Sequence, residues 1–196
     1  MSKIGTSIDL AVEQLQQGRI VAFPTETYYG LAVDPKNESA VTALFNLKKR
    51  PVNKPLLLLV KNTSQLSHLI SHVPPELKPL MEKYWPGPLT LIFPAHPLVN
   101  NKITAGTGTV GVRISPNPIA EKIVGKFGGA ITATSANISG RPPAKTAQEV
   151  VDMFGDDIDY VLDGGGTTAG LCSTIIGVKN SQLQVIRTGV VNVFPL

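Results

Sequence analysis

Residues 48–60 read KKRPVNKPLLLLV, and the second half of that stretch decides the architecture. Leu56 to Val60 are five consecutive apolar residues, without the alternation of a strand that has one wet face and too short for a helix. Such a run belongs to a strand inside a sheet that is covered on both sides. Directly before it, Glu38 to Lys48 reads as a helix, with Asn37 as its cap and Val41, Leu44, Phe45 and Lys48 along one face.

Working outward from this pair, helices and strands alternate along the chain. Toward the N-terminus, Ser7 to Gln17 is a helix capped by Ser7, striped by Ile8, Ala11, Val12 and Leu15, and ended by Gly18. Arg19 to Phe23 is a buried strand stopped by Pro24, and the loop PTETYYG leads to a second extended piece, Leu31 to Val33. On the other side come helical stretches at Thr63 to Ser71 and Pro75 to Lys83, then strands at Leu89 to Phe93 and Val110 to Ile114. Pro118 to Lys126 is a helix with proline in its first turn. Ala130 to Thr134 is a strand, Thr146 to Met153 a helix and Tyr160 to Leu162 a strand. The last strands, Thr174 to Val178 and Leu183 to Ile186, are close enough to form a hairpin, which makes the sheet mixed. The expectation is one α/β domain over residues 1–196, its core at about 7–189, built on a twisted mixed sheet flanked by helices.

Composition narrows the class. A chain of 196 residues with 42% hydrophobic and 16% charged residues suits one large globular domain. Its longest apolar run is far short of the roughly 20 residues of a membrane span, and Asp9 and Glu13 stand where a signal peptide would be apolar. Cys172 is the only cysteine, which excludes an intrachain disulfide and a thiolate cluster and suits a reducing compartment. The expected location is cytoplasmic, with no membrane partner. The net charge of +4 hides an asymmetry: residues 48–145 hold 13 of the 18 bases and only Glu76, Glu82 and Glu121 as acids. From Glu149 to Asp163 there are six acids and no base. An excess of about ten positive charges in one half points to an anionic ligand, phosphates or nucleic acid, in a basic central cleft.

Three familiar patterns fail on context. Gly106 to Gly111 satisfies G-x-G-x-x-G, but it runs into the strand-like VGVRIS rather than a helix, so it is no dinucleotide fingerprint. His68 and His72 have metal-ligand spacing, but a zincin needs glutamate directly after the first histidine, where this chain has Leu69. Ser135 lacks the glycines of a nucleophile elbow. What remains are four polar clusters at or beside strand ends, where open α/β sheets place their ligands. They are PTETYYG at 24–30, KKRP at 48–51 with Lys54-Pro55 beyond it, TSANISGRP at 134–142, and Asp163-Gly164-Gly165-Gly166 with Ser173-Thr174 and Arg187-Thr188-Gly189.

With FPTETYYGLA, LKKRPVNKPL, YWPGPLTLIF, GVRISPNPIA, TSANISGRPP and STIIGV followed by IRTG, the chain resembles the YrdC-like family of threonylcarbamoyl-AMP synthases from about Ser7 to Gly189. The family's K-x-R and S-x-N signatures appear as Lys48, Arg50 and Ser135, Asn137; Tyr28, directly after PTET, stands where an aliphatic residue is expected. The resemblance implies a YrdC-like fold and a nucleotidyltransferase that makes L-threonylcarbamoyladenylate and pyrophosphate from L-threonine, bicarbonate and ATP, for N6-threonylcarbamoyladenosine in tRNA. It implies Lys48 and Arg50 at the phosphates as catalytic groups, Thr109, Ser135, Asn137 and Arg187 as further ATP contacts, and Thr25, Arg113 and Ser173 around the threonine. Arg113 sits in an otherwise apolar strand with no acid near it in sequence, so a ligand carboxylate is its expected partner. Mg²⁺ is expected to come with ATP, with no protein side chain assigned to it; tRNA and downstream threonylcarbamoyl-transfer proteins are the expected further partners. The rival readings are a noncatalytic protein binding tRNA or double-stranded RNA in the same cleft, and a relative acting on carbamoyl phosphate. The longer synthases carry a C-terminal extension, so in this chain a lid is expected from within, at the glycine-rich stretch Asn101 to Gly108.

Overall fold

The computed structural model describes residues 3–167 and 170–193. The chain runs β1 (Ile4–Gly5), α1 (Ile8–Gln16), β2 (Val21–Pro24), β3 (Tyr29–Ala32), α2 (Glu38–Lys48), β4 (Leu57–Leu59), α3 (Lys78–Tyr84), β5 (Leu89–Pro94) and α4 (Asn101–Thr104). It continues with β6 (Thr109–Arg113), α5 (Pro118–Phe127), β7 (Ile131–Thr132), β8 (Thr134–Ser135), α6 (Ala147–Phe154), β9 (Tyr160–Leu162), β10 (Thr174–Lys179) and β11 (Gln182–Arg187). Local chemistry starts the longer helices. Ser7, Asn37, Asn117 and Thr146 each accept a backbone N–H from the first turn behind them, which stabilises a helix by about 1 kcal/mol per cap. Thr63 to Ser71 closes only into a 3₁₀ turn, Thr63–His68.

The strands form two mixed sheets rather than the one expected. The first has the order β1-β9-β2-β3-β8 and the second β11-β10-β5-β6-β4-β7. The division falls inside the segment expected as a single strand, Ala130 to Thr134. Its first half, β7, pairs antiparallel with β4 in the second sheet, and its second half, β8, pairs antiparallel with β3 in the first. At the crossing Ala133 N donates to Leu57 O (2.7 Å) and Thr132 N to Val33 O (3.1 Å), while the buried Thr132 hydroxyl accepts from Val33 N (2.9 Å). A segment that changes sheet midway keeps one strand-like pattern, because each half is extended and paired in its own sheet.

The apolar run behaves as its composition requires. Leu58 belongs to the large core between the sheets, and Leu59 to a second core that also holds Ala11 and Leu15 of α1, Phe23 of β2 and Ile123 of α5. Both faces of β4 are covered. Among the described residues no helix is long and apolar enough to cross a membrane.

The stretch Asn101 to Gly108 is tied down at several points. Asn100 caps α4, Ile103 is fully buried and its carbonyl accepts from Leu56 N (2.9 Å), and Gly108 O accepts from Ala95 N (2.9 Å). It lies at the Thr109 end of β6, opposite Arg113. The expectation of a lid there is not met, since its buried anchors hold it against the sheet.

Gly111, the last glycine of the rejected G-x-G-x-x-G, is central in β6 between Leu57 and Ile92. A Cβ there would come within 2.4 Å of Leu57 Cδ2 and 3.0 Å of Ile92 Cδ1. Gly111→Ala is therefore expected to destabilise the fold by about 1–3 kcal/mol through overpacking. Urea denaturation should show a lower midpoint with an unchanged slope; a variant as stable as the wild type would contradict so close a fit.

Candidate functional site

Where the two sheets come together they leave a cleft of about 160 Å³, floored by Leu57, Leu59 and Ala133 and walled by the loop 25–30, Ser135, Ser173 and Ile175. That volume lies below the range of about 300–1,000 Å³ usual for small-molecule sites. A nucleotide-sized ligand would have to extend through the mouth. Three guanidinium groups from distant parts of the chain, Arg50, Arg113 and Arg187, share this cleft.

Each arginine is held differently. The chain leaves α2 through Lys49, which is left-handed (φ 48°), and Arg50 N returns to Phe45 O (2.9 Å). The Arg50 side chain then braces on the loop beyond, donating Nε to Lys54 O (3.2 Å) and Nη2 to Pro55 O (2.7 Å). Arg187 forks onto Ser173, with Nε and Nη2 on its carbonyl (3.0 and 2.8 Å) and Nη2 also on its hydroxyl (2.9 Å). Among the described residues nothing accepts a hydrogen bond from Nη1 of either. Arg113, 8% exposed, has Nη1 3.2 Å from Glu26 Oε1. Burial pulls all three below the ordinary arginine range; Arg187 adds to this at Arg50, whereas Glu26 opposes it at Arg113. Arginine stays charged regardless, so the cleft holds three cations against one carboxylate.

The Glu26 pair corrects the expectation that Arg113 lacks a protein partner. The acid lies far away in sequence, in the PTET loop, and the antiparallel β2–β3 pairing that brackets this loop brings it beneath β6. Its other oxygen, Oε2, accepts from the Ser115 hydroxyl. Glu26 lies in the PTET motif, and only the fold gives it a role.

Lys48 also departs from expectation. It is 1% exposed and does not line the cleft. Its amine donates to Ser135 O, to Asn137 O (2.7 Å) and to Asn137 Oδ1 (3.2 Å), and its own carbonyl accepts from Ser139 N (2.8 Å). Asn137 Oδ1 also accepts from the Ser135 hydroxyl (2.6 Å), and Nδ2 donates to Ile138 O (3.1 Å) and Arg141 O (2.7 Å). The K-x-R lysine and the S-x-N pair are thus one internally satisfied unit that fastens loop 135–141 to the end of α2. Of the four signature residues, Arg50 and Ser135 reach the cleft.

The hydroxyls expected around threonine are occupied too. Thr25 lines the cleft, but its hydroxyl donates to Tyr28 O (2.7 Å) and accepts from Thr27 N (3.2 Å), holding the turn. The Ser173 hydroxyl lies between Thr90 Oγ1 (3.1 Å) and Arg187. Thr109 is not brought to the cleft. It stands at the far end of β6, bonded to Thr107 (2.9 Å). Residues not singled out from sequence that do line the cleft include Thr27, Thr134 and Cys172. Among the described residues no group of three or more His, Cys, Asp or Glu could hold a metal, and both Glu26 oxygens face Arg113 and Ser115. Apart from Glu26, the described residues bring no carboxylate to the cleft. Its chemistry is that of an anion receptor with forked donors, suited to carboxylate and phosphate.

The Sua5/YciO/YrdC family model, described as "Telomere recombination", matches residues 13–189. Curated relatives include proteins named threonylcarbamoyl-AMP synthase from Pyrococcus abyssi, 38% identical over 93% of this chain, and Vibrio parahaemolyticus, 36% identical over 93%. The chain spans 54% of the first relative and 99% of the second; against the Bacillus subtilis relative of the same name it spans 52%. Among solved structures, P. abyssi Sua5 complexed with L-threonine superposes with a TM-score of 0.89 at 38% identity, covering 93% of this chain and 54% of that one. Escherichia coli YciO has a TM-score of 0.89 at 24% identity over all of this chain and 99% of its own, a likeness of fold.

Lys48 generates a prediction with a sign. Burial pushes its ammonium from 10.5 down to about 7, helped by the charge of Arg50. Between those values the unfolded chain keeps a proton that the folded chain has released, so stability rises with pH through that window. Urea denaturation from pH 7 to 9.5 should show a larger rise for the wild type than for Lys48→Met. Lys48→Ala should lose about 2–5 kcal/mol at any of these pH values, from a cavity and orphaned oxygens. Unchanged stability in both variants would return Lys48 to the role of a free phosphate ligand.

Proposed function

The chain belongs to the Sua5/YciO/YrdC family, and on that premise we propose that it is an L-threonylcarbamoyladenylate synthase serving N6-threonylcarbamoyladenosine formation in tRNA. The observation that carries this reading is the convergence of Arg50, Arg113 and Arg187 on one cleft. The names of its relatives, and threonine bound to a Sua5 protein of the same fold, supply the substrates. In the reaction the threonine amine adds to bicarbonate with loss of water, giving a carbamate. A carbamate oxygen then attacks the α-phosphorus of ATP, and the bond to the bridging oxygen breaks to release pyrophosphate.

The carbamate is already an anion, so its attack needs no general base. What the step needs is two anionic reactants held in line, with their charge neutralised. In this reading Arg113 takes the threonine carboxylate fork to fork, and Arg50 and Arg187, whose Nη1 no described residue engages, take the phosphates in the mouth. Mg²⁺ arrives bound to ATP as part of the substrate. Ser135 contributes at the nucleotide side, while Lys48 and Asn137 keep its loop in place. The product is a mixed anhydride that water destroys, which favours handing it to a downstream threonylcarbamoyl-transfer protein and tRNA.

Pyrophosphate release is expected to require both threonine and bicarbonate. Turnover without an amino acid, or only with carbamoyl phosphate, would refute the reading, and RNA binding with no turnover would favour the noncatalytic alternative. In Arg50→Ala the ATP requirement should rise at least about tenfold, since ~1.4 kcal/mol per lost charged contact is already a factor of ten. An unchanged KM for ATP would mean that Arg50 merely braces its own loop.

A further inference from the structure

We propose that Glu26 is the positioning residue that fixes the Arg113 guanidinium for the substrate carboxylate, an inference that rests on the synthase reading above. Glu26 comes from the loop before β3 and Arg113 from the end of β6, so this single contact ties the first sheet to the second at the cleft. The side chains are 13% and 9% exposed. Glu26 Oε1 is buried and accepts no hydrogen bond, and Arg113 Nη1 lies 3.2 Å away. The other oxygen is anchored by Ser115, whose Oγ in turn accepts from Asn117 N (3.2 Å), at the cap of α5. The carboxylate is thus fixed at one end and leaves its remaining oxygen beside Arg113 Nη1 as an ion pair without a hydrogen bond. No described residue accepts a hydrogen bond from Arg113, so its other nitrogens are left to the cleft.

The neighbourhood makes the arrangement necessary. Arg187 is close enough to Arg113 to depress its own ionisation, and Arg50 is in turn depressed by Arg187. A long, rotatable side chain among like charges moves away from them unless something opposite in sign holds it. Glu26 is the carboxylate that does so. It also sets the balance of the site: one negative charge against three positive leaves room for a carboxylate and phosphates together. A residue in this position affects the ligand through Arg113, not by touching it.

Arginine side-chain NMR of the unliganded protein reads the proposal without any reaction. In the wild type the two Arg113 Nη groups should give separate signals, because the ion pair at Nη1 hinders rotation of the guanidinium, and in Glu26→Gln they should average or broaden away. The same signal in both proteins overturns the proposal whether or not the chain is a synthase. In the pyrophosphate-release assay, Glu26→Gln should raise the KM for threonine at least about tenfold, the scale of a small misplacement, with the ATP requirement unchanged. Glu26→Asp should recover part of the loss. The double variant with Arg113→Lys should be no worse than the poorer single variant; losses that multiply would mean that Glu26 does not act through Arg113. Should Glu26→Gln fail to fold, Ser115→Ala removes the anchor of Oε2, together with the acceptor of Asn117 N, and should shift the threonine KM the same way by less. No shift there overturns the proposal. If the wild type itself releases no pyrophosphate with threonine and bicarbonate, the synthase reading fails and the NMR result alone decides the role of Glu26.

Discussion

Three guanidinium groups brought to one cleft, the innermost of them, Arg113, buried against a carboxylate, are the constraint around which the rest of this molecule is arranged. Like charges a few ångströms apart repel strongly wherever water is scarce, and arginine does not escape by losing its proton. The braces on Arg50 and Arg187 are backbone carbonyls, which hold a guanidinium without cancelling its charge. Carboxylates in those places would fix the side chains equally well and leave nothing for an anionic ligand. Among the described residues only Arg113 of the three has an acid partner. The carbonyl braces also account for a close approach at Gly189, where a Cβ would come 2.2 Å from Cys172 O and 2.5 Å from Ser173 C. The strand end that carries Arg187 can lie against Ser173 because residue 189 has no side chain.

The cleft exists because the fold has two sheets joined through one segment. Ile131 to Ser135 pairs with β4 and then with β3, which sets the two sheets at a fixed separation on either side of Ala133. Around this junction are two cross-links between distant stretches of chain. Lys48 closes the loop 135–141 onto α2, and Glu26 ties the loop before β3 to β6. Both are buried and polar, and each is sensitive to loss of one partner, because an orphaned buried charge or carbonyl costs more than the pair contributes. Rigidity of this kind is what alignment of two anionic reactants asks of a protein.

Much of this was legible in the sequence wherever the signal is local. The caps at Ser7 and Asn37, the proline start of α5, the terminal hairpin and the doubly covered strand at Leu56 to Val60 all follow from neighbours a few residues apart. The motifs also located the cleft, since Thr25, Arg50, Arg113, Ser135, Ser173 and Arg187 do line it. What was not legible is which polar groups satisfy one another. Lys48 reads as a free cation beside Arg50 until the fold places three oxygens of the S-x-N loop around it. Arg113 reads as unpaired because its acid is in a loop of the other sheet. Thr109 shares a strand and a face with Arg113, but four residues of extended chain hold the two roughly 13 Å apart. The division of Ala130 to Thr134 between two sheets has no local signature, because both halves are extended and follow one another without a turn residue.

The most direct test is a crystal structure of the chain with L-threonine, bicarbonate and a non-hydrolysable ATP analogue. The threonine carboxylate should lie within hydrogen-bonding distance of Arg113 and the phosphates at Nη1 of Arg50 and Arg187, with the Lys48 amine still on Ser135 and Asn137 and Glu26 still on Arg113. A ligand bound away from these three arginines, or a Lys48 amine released from its loop to meet the phosphates, would contradict the account.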